Sequence, residues 1–126
     1  MEESAKILVV DDDRSLAGFI TELLMNFGYD VTTEYDSRQA LEHYSQPGEH
    51  FDLVITDQTM PGMTGVELAT EILKHAPEQA IMLCTGYSDQ VDADRAGALG
   101  IKSFLNKPME TRVLLAEVKR LLNPED

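Results

Sequence analysis

The chain has 126 residues, the length of one ordinary domain, and its 43% apolar and 26% charged residues exclude a disordered chain. No apolar run approaches the ~20 residues of a membrane span, and the start Met1, Glu2, Glu3, Ser4 is not the basic opening of a secretory leader. With 23 acidic against 10 basic residues the net charge is −13, which disfavours nucleic acid and anionic membranes and favours cations and basic partner surfaces.

Short apolar runs alternate with helical patterns five times. Residues 7–10 are short and rich in β-branched side chains, which predicts a strand. Residues 14–27 place Leu16, Phe19, Ile20, Leu23, Leu24 and Phe27 on one helical face, and Gly28 stops that helix. Residues 31–33 are a second strand. Residues 37–45 are a helix with Ala40, Leu41 and Tyr44 inward, ended by Pro47 and Gly48. Residues 53–56 are a third strand. Residues 65–76 form a helix around Val66, Ala69, Ile72 and Leu73, stopped before Pro77. Residues 80–84 are a fourth strand. Its Cys84, the one cysteine, excludes an internal disulfide and reads as a buried thiol in a reducing compartment. Residues 89–99 make an acidic, alanine-rich helix closed by Gly100. Residues 103–105 are the fifth strand, and residues 110–122 carry a stripe of Val113, Leu114, Val118, Leu121 and Leu122. No repeat or linker divides the chain, so residues 1–126 read as one domain. This order predicts an α/β, doubly wound (βα)5 fold: a five-stranded parallel sheet with helices on both faces and right-handed crossovers.

Ligands of such sheets bind outside the carboxyl ends of the strands. Asp11, Asp12 and Asp13 stand after the first strand and Asp57 after the third. Thr85 and Gly86 follow the fourth; Asn106, Lys107 and Pro108 follow the fifth. Two unit charges ~4 Å apart repel by roughly 4 kcal/mol at an effective dielectric of 20, so this carboxylate cluster needs a cation or protonation. Oxygen ligands of this kind suit Mg2+, and Lys107 adds a fixed positive charge. A phosphoryl group between metal and ammonium is the usual clamp for phosphoryl transfer. Plainer readings stand beside this one. An Asp triplet before a helix is often an N-cap with dipole-favoured charges; that reading is preferred for Asp13 and open for Asp11 and Asp12. Asp57 before Pro61 and Gly62 fits a turn residue, and Lys107-Pro108 fits a surface turn.

The segments KILVVDDD, DLVITDQTMPGMTGVEL, MLCTGYSD and FLNKP resemble, in order and spacing from about Lys6 to Leu122, the four signatures of the bacterial response-regulator receiver domain. The resemblance implies the flavodoxin-like receiver fold. It implies that Asp57 accepts a phosphoryl group from a phosphohistidine on a histidine kinase or histidine phosphotransfer protein. Asp11 and Asp12 resemble the acidic pair. Mg2+ would be held by Asp12 and Asp57, with Asp11 in the metal set and Thr59 through its backbone carbonyl. Lys107 would hold the phosphoryl group, and the Lys107-Pro108 bond would be cis. Thr85 resembles the switch hydroxyl, and Gly86 leaves room beside it. Phe104 occupies the place of the switch aromatic; lacking a hydroxyl, it must act by packing.

Further expectations follow from the resemblance. The domain is a signalling phosphoacceptor with self-catalysed phosphotransfer and autodephosphorylation, located in the cytoplasm, without nucleic-acid or direct membrane contact. The face of the fourth helix, fifth strand and fifth helix would bind partners or form a homodimer. Thr59 and Tyr87, two residues after the acceptor and the switch hydroxyl, would tune dephosphorylation towards a long lifetime. The stretches ITDQTMPGMTGVELA and LCTGYSD resemble receivers attached to hybrid sensor histidine kinases, so a piece of a larger protein is the preferred reading and a free-standing single-domain regulator the alternative. Two rival readings stand against the receiver reading. A haloacid-dehalogenase type phosphatase would use Asp11 and Asp13 but leaves Asp57 unexplained. A degenerate receiver acting only as a binding module conflicts with the complete residue set. His43, His50 and His75 read as surface or satisfied histidines, and Met60 and Met63 as loop packing.

Overall fold

The computed structural model describes residues 4–86 and 93–123, the Ala93 side chain excepted. These form β1 (Lys6–Val10), α1 (Arg14–Asn26), β2 (Asp30–Glu34), α2 (Ser37–Tyr44), β3 (Leu53–Asp57), α3 (Gly65–His75), β4 (Ile81–Thr85), α4 (Ala93–Leu99), β5 (Ser103–Asn106) and α5 (Thr111–Leu122). The strand order is β2-β1-β3-β4-β5, and every neighbouring pair runs parallel. The expected five-stranded doubly wound sheet is therefore present.

Side chains of a strand alternate between its two faces, and two core clusters follow from that alternation. Ile7, Val9, Leu53, Ile55, Met82, Cys84 and Leu105 pack with Ile20 and Leu24 of α1 and Leu114 and Val118 of α5. Leu8, Val10, Val54, Ile81 and Leu83 pack on the other face with Ala40 of α2, Leu68, Ala69 and Ile72 of α3, and Ala96 of α4. The central strands are apolar on both faces because both are covered by helices. Among the described residues no helix is long and apolar enough to cross a membrane.

Several sequence expectations need correction. Phe19 and Phe27 are 50% and 53% exposed instead of inward. The stripe that meets the sheet is Ala17, Ile20 and Leu24; Phe19 lies one step off it, and Phe27 is already the C-cap. Val113 of α5 is likewise exposed, whereas Leu68, absent from the expected α3 face, is fully buried. β3 and β4 each run one residue further than expected, so Asp57 and Thr85 end their strands instead of following them. The ladder holds both: Asp57 pairs with Cys84, and Thr85 with Asn106. The expected helix over 89–99 is seen from Ala93 to Leu99; the earlier part, like Tyr87, lies outside the described residues.

Candidate functional site

Parallel strands in register bring their carboxyl ends to one edge, and alternation decides which side chains share a face there. Asp57 has the parity of Leu53 and Ile55, and Asp11 and Lys107 continue the parity of Val9 and Leu105, all residues of the α1–α5 face. Thr85 has the parity of Ile81 and Leu83, on the face of α2, α3 and α4. Phe104 is half-buried and packs against that second face. The acid–lysine cluster and the hydroxyl–aromatic pair thus lie on opposite sides of one sheet edge.

Asp11, Asp12 and Asp57 each bring a carboxylate oxygen to within 4.8 Å of the others. Asp11 and Asp57 are buried and Asp12 is exposed. Lys107 Nζ lies 2.7 Å from Asp57 Oδ1 and 3.5 Å from Asp11 Oδ2. The Asp13 N–H donates to Asp11 Oδ1 at 2.9 Å. Asp13 itself turns away to cap α1, its Oδ1 accepting from the Leu16 N–H at 3.1 Å, which matches the capping reading. The Lys107–Pro108 peptide is cis.

Burial raises the Asp11 carboxyl above its ordinary range; the Asp13 N–H opposes this, and the charge of Asp57 adds to it. For Lys107, burial alone would lower the ammonium, but its bond to Asp57 and the charges of Asp11 and Asp57 outweigh that and hold it above its usual value. The Lys107 shift reflects the two carboxylates beside it, and the Asp11 shift reflects burial first and the Asp57 charge second. The donor set is all oxygen and partly open through Asp12, which fits Mg2+, a hard cation that keeps waters and takes one or two carboxylates. Cys84, one residue from the hydroxyl of Thr85, is inert by comparison: burial pushes its thiol up to about 12.

Thr59 is exposed in the loop after β3, while Met60 is buried and Met63 packs on the α2–α3 cluster. Three residues went unassigned in the sequence. The Thr85 hydroxyl donates to Asn106 Oδ1 at 3.1 Å; adjacency of β4 and β5 ends could have indicated that pair. Gln58 and Gly65, at the join of β3 and α3, contact the backbone beside Asp57, and nothing in local sequence periodicity marks them.

A family model described as the response regulator receiver domain matches residues 7–119. The chain is 32% identical to a response regulator receiver domain protein from Clostridium thermocellum, covering 96% of each chain with a TM-score of 0.89. It is 30% identical to the chemotaxis protein CheY4 of Vibrio cholerae, covering 95% of this chain and 100% of that one, with a TM-score of 0.85. A CheY-like receiver domain protein from Methanospirillum hungatei is 27% identical over 97% of this chain and 96% of its own, with a TM-score of 0.89. The fold, the acidic cluster at the sheet edge and these matches agree, and the chain belongs to the response-regulator receiver domain family, the phosphoryl-accepting domains of two-component signalling.

Proposed function

We propose that Asp57 is the phosphoacceptor and that the chain catalyses its own phosphorylation from a phosphohistidine of a histidine kinase or histidine phosphotransfer protein. The observation that carries this reading is the meeting of Asp57 with Asp11, Asp12 and Lys107 at the sheet edge. An Asp57 carboxylate oxygen attacks phosphorus in line; the new P–O bond forms as the P–N bond breaks, and the imidazole departs with the electron pair. Lys107 exchanges its contact with Asp57 for one with a phosphoryl oxygen, so its charge follows the charge that is transferred. Asp12 and Asp57, with Asp11 beside them and the Thr59 carbonyl, are the groups assigned to hold Mg2+. When bound, the metal supplies charge neutralisation for the phosphoryl oxygens.

Thr85 and Phe104 are assigned the switch. The Thr85 hydroxyl leaves Asn106 for the phosphoryl group, and Phe104 repacks in the space this changes. The readout face is α4, β5 and α5, for a partner or a second copy. The domain spans the whole of residues 1–126, and attachment to a hybrid sensor kinase remains part of this reading. Incubation with acetyl phosphate and Mg2+ should add one phosphoryl group by intact mass, and Asp57→Asn should abolish it. Full labelling of Asp57→Asn would overturn the assignment.

Hydrolysis reverses the geometry: water attacks phosphorus opposite Asp57, releasing inorganic phosphate and restoring the carboxylate. Thr59 is exposed and too short to orient that water, and Tyr87, outside the described residues, is assigned with it to the tuning of dephosphorylation. The phosphorylated form is therefore long-lived. A Thr59→Asn, Tyr87→Glu double variant should lose its label faster, since ~1 Å in placing a reactant changes rates on the order of a hundredfold. Equal decay of the variant and wild type counts against water control by these side chains.

A further inference from the structure

We propose that Gln58 is a positioning residue for the phosphoacceptor site, acting through the first turn of α3; the inference rests on the reading of Asp57 given above. Three hydrogen bonds fix Gln58. Its N–H donates to the Cys84 carbonyl at 2.9 Å, extending the β3–β4 ladder one residue past Asp57. Its carbonyl accepts from the Gly65 N–H at 3.0 Å. Its side-chain Oε1 accepts from the Val66 N–H at 2.9 Å. The first two bonds hold the peptide planes on either side of Gln58, which are the planes that carry Asp57 and Thr59. The third is available only to a side chain with an acceptor at this reach.

The helix turn on which Gln58 is held is itself rigid. A helix leaves its first N–H groups without internal partners, and here each of them is taken. Gly65 and Val66 donate to Gln58, Glu67 donates to Thr64 Oγ1 at 3.2 Å, and Glu67 Oε1 accepts from the Thr64 N–H at 2.9 Å. The turn also presses on the acceptor directly. A Cβ at Gly65 would lie 2.3 Å from the Asp57 carbonyl oxygen and 2.6 Å from Leu83 Cδ1. The α3 start, Gln58 and the Asp57 backbone are therefore one close-packed unit. Releasing the Gln58 side chain frees the Val66 N–H and lets the Asp57–Thr59 backbone move relative to Asp11, Asp12 and Lys107.

A role limited to capping α3 would affect stability alone, so the test separates stability from site geometry. Three variants are compared: Gln58→Leu, which removes the acceptor; Gln58→Glu, which keeps it; and Thr64→Ala, which removes the capping box from the same turn. Three quantities are read: melting of the metal-free protein, Mg2+ affinity by calorimetry, and the initial rate of acetyl-phosphate labelling at saturating Mg2+. Gln58→Leu should weaken Mg2+ and slow labelling, each on the order of tenfold, as loss of groups that orient ligands does. Gln58→Glu should restore the labelling rate. Thr64→Ala should lower the melting temperature yet cost far less Mg2+ affinity and rate than Gln58→Leu, because the Gly65 and Val66 N–H groups keep their bonds to Gln58. Wild-type values for Gln58→Leu, no rescue by Gln58→Glu, or equal site losses in Thr64→Ala would each overturn the proposal. If Gln58→Leu does not fold, Gln58→Met is held to the same outcomes. Label that persists in Asp57→Asn sinks the acceptor assignment instead, and the Mg2+ affinities still decide the role of Gln58.

Discussion

Asp11 is 3% exposed, receives the Asp13 N–H, and shares the Lys107 ammonium with Asp57. Its carboxyl is raised first by burial, with the Asp57 charge adding to that. A raised acid contributes most to stability when protonated, below its unfolded value of 3.8, and this contribution is lost as pH rises through the folded value. At neutral pH Asp11 therefore weighs against the fold. Metal-free Asp11→Asn should melt above wild type at pH 7, and the gain should disappear as the pH is taken below about 4. Adding Mg2+ should narrow the difference, because a ligand of the native state raises the wild type. Calorimetric scans across pH check both. A variant that melts at or below wild type at pH 7 contradicts the cost assigned here to burying the Asp11 carboxylate beside Asp57.

The last strand and last helix are joined by polar groups as well as by packing. The buried Ser103 hydroxyl of β5 donates to Glu117 Oε2 of α5. Arg120 donates from Nε to Oε1 at 2.8 Å and from Nη2 to Oε2 at 2.9 Å. The Arg120 bonds, then the Ser103 bond, pull the Glu117 carboxyl down to about 2. A depressed acid contributes stability above its unfolded value, and loses it as pH falls through the folded one. Glu117→Gln should lower stability at neutral pH by about 1 kcal/mol, the usual worth of a hydrogen bond between side chains. The gap to wild type should hold above about pH 5 and close as pH falls from 4.5 to about 2. A gap that is absent at pH 7, or unchanged at pH 2, would show that the carboxylate does not tie α5 to β5. Since Phe104 follows Ser103, the tie anchors the strand that carries the assigned switch aromatic.

Over the whole molecule, the net charge of −13 repels itself, and added salt screens that repulsion within about 10 Å at 0.1 M. NaCl should therefore raise the melting temperature. MgCl2 at equal ionic strength should raise it further, because part of its effect is occupation of the Asp11–Asp12–Asp57 cluster, and that part should saturate. Equal shifts for the two salts, followed by differential scanning calorimetry, would argue that Mg2+ acts only as a screening ion.

The sequence by itself determined the alternating elements, the parallel sheet and the residues that stand at its carboxyl edge. Strand alternation and helix stripes are local periodicities, and Asp57, Lys107, Thr85 and the Asp11–Asp12 pair each sit at a strand's end, where topology alone sends them to one edge. Asp13 as a cap was also legible, since capping is decided within one helical turn. Only the tertiary structure decided the rest. A stripe of apolar residues does not say which of its members meets the sheet, so Phe19 and Val113 were expected inward and stand exposed. The bond from Thr85 to Asn106 needs the β4–β5 register. The hold of α3 on Gln58, and the lack of room for any side chain at Gly65, come from a helix start folding back on the strand before it. Such close approaches depend on where two backbones meet in space, and that separation has no period along the chain.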